Sequence, residues 1–178
     1  MTRLIWTLAF LFVAFTPNPL ASEHAVIDPH IRSATPELVD AVADGALLSP
    51  TLHQLVERLD ASDVVVYLRF DQSPPPRLSG HLSLISAVAG RRYVRVSIDQ
   101  HQAGWQRIAT LGHELYHAVE VAESPSVTDD TTMIRLYQRI GFRSEGPRRD
   151  CFESVGAILA GRTVEKELQA AAQAPGRR

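Results

Sequence analysis

The stretch His113-Glu114-Leu115-Tyr116-His117 decides how this chain is interpreted. On an α-helix its two histidines lie one turn apart on the same face, because residues four apart are neighbours there. Neutral imidazole binds zinc well, so the pair supplies two of the ligands of a tetrahedral site. Glu114, beside the first histidine, is placed to take a proton from a water on the metal. The stretch therefore predicts a catalytic zinc site with Glu114 as general base.

The residues around this stretch favour a helix that follows a strand. The segment from Trp105 to Glu123 has no proline, and its apolar residues recur at helical spacing. These residues are Ile108, Leu111, Leu115, Val119 and Ala122. The segment Arg92–Asp99, which ends just before it, alternates apolar and polar side chains as a strand does.

A strand followed by a helix with this motif resembles the core of the zincin metallopeptidases, over roughly residues 80–165. Metzincins add a glycine and a third histidine three and six residues after the motif, where this chain has Glu120 and Glu123. The chain is more similar to the gluzincins, the thermolysin-like zincins, in which a glutamate from a later helix completes the site. The resemblance implies one Zn²⁺ ion, a peptide or protein substrate and a zinc-activated water.

The third ligand has to be chosen among the later carboxylates. Glu120 shares the helical face of the histidines but lies a further turn along, which favours a role behind the ligands or on the surface. Glu153 falls in a predicted helix, Asp150–Leu168, on a face of small residues suited to close packing. Those residues are Gly156, Ala157 and Ala160. A buried carboxylate needs a partner, so Glu153 is predicted to bind the metal. The alternative is a salt bridge to Arg148, Arg149 or Arg162.

Three groups of polar residues have less certain roles. The candidates for orienting the histidines are Asp150, Ser154 and Glu120. The candidates for stabilising an oxyanion are Tyr137 and Tyr116, although Tyr137 also fits an apolar helix face and a place in the core. Four histidines have no partner at ligand spacing and are interpreted as ordinary polar residues: His30, His53, His81 and His101.

The N-terminus has the pattern of an export signal. Arg3 precedes an apolar run, Leu4–Phe15, and small residues follow near Ala21. We expect residues 1–22 to be a signal peptide and the mature protein to reach the bacterial periplasm or the outside of the cell. The apolar run is too short to favour a membrane span, and an uncleaved anchor is the alternative. Cys151 is the only cysteine, so the chain has no internal disulfide.

The remaining pattern predicts a single α+β domain over residues 23–178. The expected elements are helices at about Pro36–Ala46 and Pro50–Leu59, a strand at Val64–Phe70, a hairpin of His81–Ala89 with Arg92–Asp99, and a helix at Asp130–Ile140. We expect a short, mostly antiparallel sheet packed on the motif helix, and a C-terminal helix that carries the third ligand. Residues 170–178 are expected to be a flexible tail.

These expectations combine into a zinc metallopeptidase that holds its substrate in extended form. The strand Arg92–Asp99 is assigned to that role as a sheet edge, and its alternative is an interior strand. The 18 Lys and Arg residues against 20 Asp and Glu give no sign of nucleic-acid binding. The alternative function is a zinc-stabilised binding or assembly protein of the cell envelope. Structural zinc sites usually take four Cys or His ligands, and no fourth such residue lies near this motif.

Overall fold

The computed structural model of the protein describes residues 29–72, 78–144 and 151–174. The predicted signal peptide, residues 1–22, lies outside these ranges, as do Asp150, Arg148 and Arg149. Along the described residues the elements run β1 (Ile31–Ser33), α1 (Pro36–Leu48), α2 (Pro50–Asp60), β2 (Val64–Asp71), β3 (Gly80–Val88), β4 (Arg91–Asp99), α3 (Gly104–Ala122), α4 (Asp130–Ile140), β5 (Phe142–Arg143), β6 (Phe152–Glu153) and α5 (Val155–Gln173). The α+β class is confirmed.

The main sheet has four strands in the order β1-β2-β4-β3. The pairs β1/β2 and β2/β4 are parallel, and only β3/β4 is antiparallel. The prediction of a mostly antiparallel sheet is therefore wrong. The reason is connectivity: α1 and α2 return the chain so that β2 runs parallel to β1, and β3 turns the chain back so that β4 runs parallel to β2.

The β3–β4 hairpin forms where the sequence predicts it, and it determines which strand is the edge. Ala89 and Gly90 both have positive φ angles, 51° and 74°, which suit a tight two-residue hairpin turn. Because β4 lies between β2 and β3, the strand Arg91–Asp99 is interior. Its assignment as the substrate-binding edge is wrong, and the alternative of an interior strand is confirmed. The edge strands are β1 and β3, and β3 is the one beside β4.

The hydrophobic core lies between one face of the sheet and the helices. Buried side chains of β2 and β4, including Val66, Val94 and Val96, pack with the motif helix α3 through Leu111 and Leu115. Burial of these aliphatic groups supplies the main driving force for the fold. The core thereby fixes α3 against the sheet, with the motif near the helix centre.

The helix α5 packs closely along α3. A Cβ atom at Gly112 would lie 2.8 Å from Val164 Cγ2, so only glycine permits this approach of the two helices. Ala157 and Ala160 are buried at the same interface, as the small-residue pattern predicts. None of the helices in the described ranges is both long and apolar enough to span a bilayer.

The start of α5 differs from the prediction. The helix begins at Val155, after the cap residue Ser154, whose side chain accepts a hydrogen bond from the backbone N–H of Ala157 at 3.0 Å. Glu153 therefore precedes the helix and lies in β6, opposite Phe142. The prediction that the C-terminal helix itself carries the third ligand is wrong. The tail also differs, since the helix continues through residues 170–173.

Candidate metal centre

Three predicted ligands converge at one point of the structure. His113 Nε2 lies 3.2 Å from Glu153 Oε2, and His117 Nε2 lies 3.1 Å from Glu153 Oε1. One ligand atom from each residue lies within 4.8 Å of the others. Zinc–nitrogen bonds of about 2.0–2.1 Å at tetrahedral angles separate two ligand atoms by about 3.3 Å. The donor spacing therefore fits a single zinc ion.

Two local features bring Glu153 to the histidines. The cap at Ser154 holds the chain extended before α5, and the backbone N–H of Ser154 donates to Glu153 Oε1 at 2.8 Å. At Gly161 an added Cβ would lie 3.0 Å from His113 Cβ, so the two helices are close at the level of the motif. The carboxylate thus reaches the motif from a separate segment, as a third ligand must.

His117 is held from behind by a carboxylate. Its Nδ1 atom lies 2.7 Å from Glu120 Oε2, so the Nδ1–H group donates a hydrogen bond to this carboxylate. The bond orients the ring so that Nε2 points toward Glu153. The hydroxyl of Tyr137 lies 3.2 Å from the same Nδ1. Burial opposes a charged ring, but hydrogen bonds to Glu120 and Glu153 outweigh it and raise the pKa of His117 to about 10. The environment therefore favours positive charge at this ring.

The centre contains more carboxylates than its own histidines can balance. Burial opposes the charge of Glu153, but hydrogen bonds from His113 and His117 hold the pKa of Glu153 far below its usual range. Glu114 and Glu120 lie beside the same two rings. Three carboxylates around two imidazoles give an excess of negative charge, which a divalent cation would neutralise.

Glu114 lies between the helix and the edge strand. The residue is only 4% exposed, and burial raises the pKa of its carboxyl group. A Cβ atom at Gly80 would lie 2.9 Å from Glu114 Oε1, so the carboxylate lies directly against the backbone of β3. A glycine at this position leaves the space that the carboxylate occupies.

These groups open into a cavity of about 710 Å³. His113, Glu114, His117 and Glu153 all line it. The strand β3 forms one side, and α4 forms another through Met133 and Tyr137, among others. Arg69, His81 and Arg95 also reach this cavity. The sequence pattern does not single out Arg69 or Arg95 and favours an ordinary polar role for His81, because strand periodicity predicts which face a side chain occupies but not which strand is the edge.

The remaining predicted site residues lie at different places around the centre. Glu120 lies behind His117, one of the two places expected for it, whereas the side chain of Ser154 caps α5. Tyr137 is buried with its hydroxyl against His117, and burial together with the charge of Glu120 raises its pKa. Tyr116 packs on Gly156 instead of lining the cavity. Within the described ranges the ion pairs of Glu153 are with the two histidines, and Arg162 is exposed.

Comparison of the chain with models of protein families, with curated proteins and with solved structures finds no match. Its function must therefore be inferred from the residues of the centre itself.

Proposed function

We propose that the protein is a zinc-dependent hydrolase that cleaves peptide bonds. The observation that carries this proposal is the convergence of His113, His117 and Glu153 in a cavity that Glu114 also lines. Two imidazoles and one carboxylate are a ligand set of catalytic zinc sites, which leave a position for water. The proposal includes export of the mature protein to the periplasm or the outside of the cell, based on the pattern of residues 1–22.

The residues of the centre divide the chemistry among them. His113, His117 and Glu153 would hold a zinc ion, which would polarise the scissile carbonyl as a Lewis acid and lower the pKa of a bound water. Glu114 accepts the proton of that water and passes it to the leaving amine. A carboxyl group with a pKa raised by burial suits both steps. Glu120 holds the ring of His117 in the orientation that directs Nε2 to the ion.

The edge strand β3 is the place where an extended peptide would bind. The backbone N–H of Asp99 donates to Ser79 O at 3.0 Å, which makes these two residues a hydrogen-bonded pair of the hairpin. In an antiparallel ladder such pairs alternate with pairs that are not hydrogen-bonded to each other. Gly80, Leu82 and Leu84 are in the second class, so their backbone groups point away from β4.

Those outward groups are available to a substrate strand. In the described part of the chain no strand pairs with the outer side of β3. Gly80 lies directly against Glu114. A peptide paired with β3 by main-chain hydrogen bonds therefore brings a peptide bond to the general base.

The Glu114→Gln variant tests this function. An amide cannot accept the proton of the water, so we expect the variant to keep its zinc and fold but to lose hydrolysis of every peptide that the wild type cleaves. The measurement is the turnover of a broad library of fluorescence-quenched peptides by zinc-loaded protein. Glu57→Gln, the same change on the exposed surface of α2, is the matched control and retains full activity.

Two results would contradict the proposal. One is equal turnover by the wild type and Glu114→Gln, which would show that the cleavage does not use this residue. The other is no turnover by zinc-loaded wild type across the library, which would favour a zinc-stabilised binding or assembly protein.

A further inference from the structure

The sheet has a second face, opposite to the one that packs on the helices. Because strand side chains alternate, the residues between the core-facing positions of β2, β3 and β4 lie on this face. We call it the arginine face, defined by Tyr67 and Arg69 of β2, Arg95 and Ser97 of β4, and His81 and Ser83 of β3. Arg69, Arg95, His81 and Ser83 all line the same cavity as the metal ligands. The cavity therefore extends around the edge strand onto this face.

The strand register arranges these residues in two rows that end at the edge. Arg69 is paired with Ser97, which is paired with His81. Arg95 is paired directly with Ser83, one row further along. Arg69 Nε donates to Ser97 Oγ at 3.0 Å, so this side chain crosses β4 toward β3. Because the side chain of Ser83 is small, it does not fill the space between Arg95 and the edge of the sheet.

The two guanidinium groups give this wall of the cavity a positive charge. Among the described residues, the ion pairs include neither Arg69 nor Arg95. Asp71 also lines the cavity, and Asp99, its partner on β4, lies on the same face. The positive charge is therefore local to Arg69 and Arg95, whose side chains carry it at any ordinary pH.

A peptide strand paired with β3 has side chains that alternate between the two faces. Those opposite Gly80, Leu82 and Leu84 point to the helix side, where Leu82, Leu84 and Met133 offer apolar contacts. Those opposite His81 and Ser83 point to the arginine face. The spacing between strands is about 4.8 Å, so the long side chain of Arg95 on β4 can reach over β3 to meet them, whereas Arg69 on β2 lies one strand further away.

We propose that the preferred substrate is an extended peptide with acidic side chains at the alternate positions opposite His81 and Ser83, where Arg95 reaches the edge and Arg69 adds positive charge from one strand further in. The positions between them are apolar. This inference rests on the proposed function for the placement of the peptide along β3. Arginine binds carboxylates through paired, charge-assisted hydrogen bonds, and it discriminates strongly against cationic side chains.

Binding of three labelled peptide pools tests the inference without requiring cleavage. Each pool has nine residues, the length of β3, with apolar residues at alternate positions and only Glu, only Lys or only Ser between them. The protein is the full zinc-loaded chain with Glu114→Gln, and the readout is fluorescence anisotropy. We expect the Glu pool to bind at least about tenfold more tightly than the Lys pool, with the Ser pool between them.

Substitutions on the arginine face distinguish a local contact of the peptide with Arg69 and Arg95 from an effect of the overall charge of the protein. Arg95→Glu together with Arg69→Glu reverses the order of the Glu and Lys pools. Arg95→Ala with Arg69→Ala, which introduces no new charge, brings the affinities of the two pools together. Arg162→Glu on the exposed side of α5 is the control, and it leaves the order and the ratio unchanged.

Equal binding of the three pools, binding of none of them, or a reversal caused equally by Arg162→Glu would overturn the inference. Its failure is distinguishable from failure of the proposed function. Wild-type protein that cleaves a peptide library without acidic preference refutes the substrate class and leaves the peptidase. Pools that bind in the predicted order but are never cleaved by wild type refute the peptidase and leave the acidic binding groove.

Discussion

The motif helix α3 has buried charge at two places, and the two differ in how that charge is satisfied. At its C-terminal end Arg92 of β4 forms hydrogen bonds of 2.7 Å and 2.6 Å to the carboxylate of Asp63. The same guanidinium donates to three backbone carbonyl oxygens, those of Val121, Ala122 and Ser124. These hydrogen bonds use every N–H group of the guanidinium, and they cap the end of α3.

In the middle of α3 the buried charges are not balanced in this way. There His113 and His117 face Glu114, Glu120 and Glu153, so carboxylates outnumber the groups that could pair with them. All of these side chains except Glu120 border a cavity, whereas the Arg92 side chain packs in the interior. Removal of one partner from a fully hydrogen-bonded ion pair destabilises the fold, whereas an acidic cluster that lacks enough cationic partners at a cavity is suited to bind a cation. The two regions should therefore respond differently to mutation and to metal.

The largest expected effect on the fold is from Arg92→Ala. This change removes the cationic partner of Asp63 and one donor from each of three carbonyl oxygens at the end of α3, so we expect the free energy of unfolding to fall by about 3 kcal/mol. The loss should be equal with and without zinc, because Arg92 does not contact the metal centre. Urea denaturation of both forms measures it.

Arg58→Ala is the matched control for that change. Arg58 forms an exposed ion pair with Glu123 near the same end of α3, and such pairs contribute less than about 1 kcal/mol. A loss from Arg92→Ala as small as that of the control would mean that the anchor does not stabilise the fold.

A smaller effect, seen mainly in zinc affinity, is expected from Glu120→Ala. Loss of the carboxylate that holds His117 should weaken zinc binding about 10–100-fold, as is usual for partners of metal ligands. The unfolding free energy of the metal-free protein should also fall, because the buried ring of His117 loses the carboxylate that stabilises its charge. A competition titration with a zinc chelator gives the affinity. Unchanged affinity would remove Glu120 from the metal centre.

The comparison also shows what local sequence patterns can and cannot predict. Helical spacing of apolar residues predicts the motif helix and α4, because this signal lies within one element. The turn at Gly90 predicted the β3–β4 hairpin for the same reason. Pairing of β2 with β4 joins segments that are distant in sequence, so no local pattern signals it, and the short strand β1 was missed.

Local sequence patterns have the same limit for the residues of the metal centre. The histidine pair is a pattern of one helix, and the spacing of three residues between His117 and Glu120 was also visible in the sequence. Glu153 was placed on a helix because the apolar periodicity begins before the cap at Ser154. The arrangement of Arg69 and Arg95 beside the edge strand depends on sheet order, which only the three-dimensional structure shows.

The smallest expected effect is a change in acid sensitivity at the Arg92 anchor. The hydrogen bonds from Arg92 are the main cause that lowers the pKa of Asp63. A carboxyl group with a lowered folded-state pKa adds stability at a pH above its unfolded value of about 3.9, and the stability is lost as pH falls through the folded value. The difference in unfolding free energy between wild type and Asp63→Asn should therefore shrink below about pH 4. A difference independent of pH would contradict this role of the pair.

The most direct test of the central claim is zinc binding by the wild type compared with Glu153→Ala. Elemental analysis and chelator competition on zinc-loaded protein should give one zinc per chain for the wild type. Glu153→Ala should bind zinc far more weakly than Glu120→Ala does, because it loses a ligand and not the partner of a ligand. Wild-type protein that takes up no zinc, or Glu153→Ala that retains wild-type affinity while Glu120→Ala loses the metal, would contradict the proposed centre.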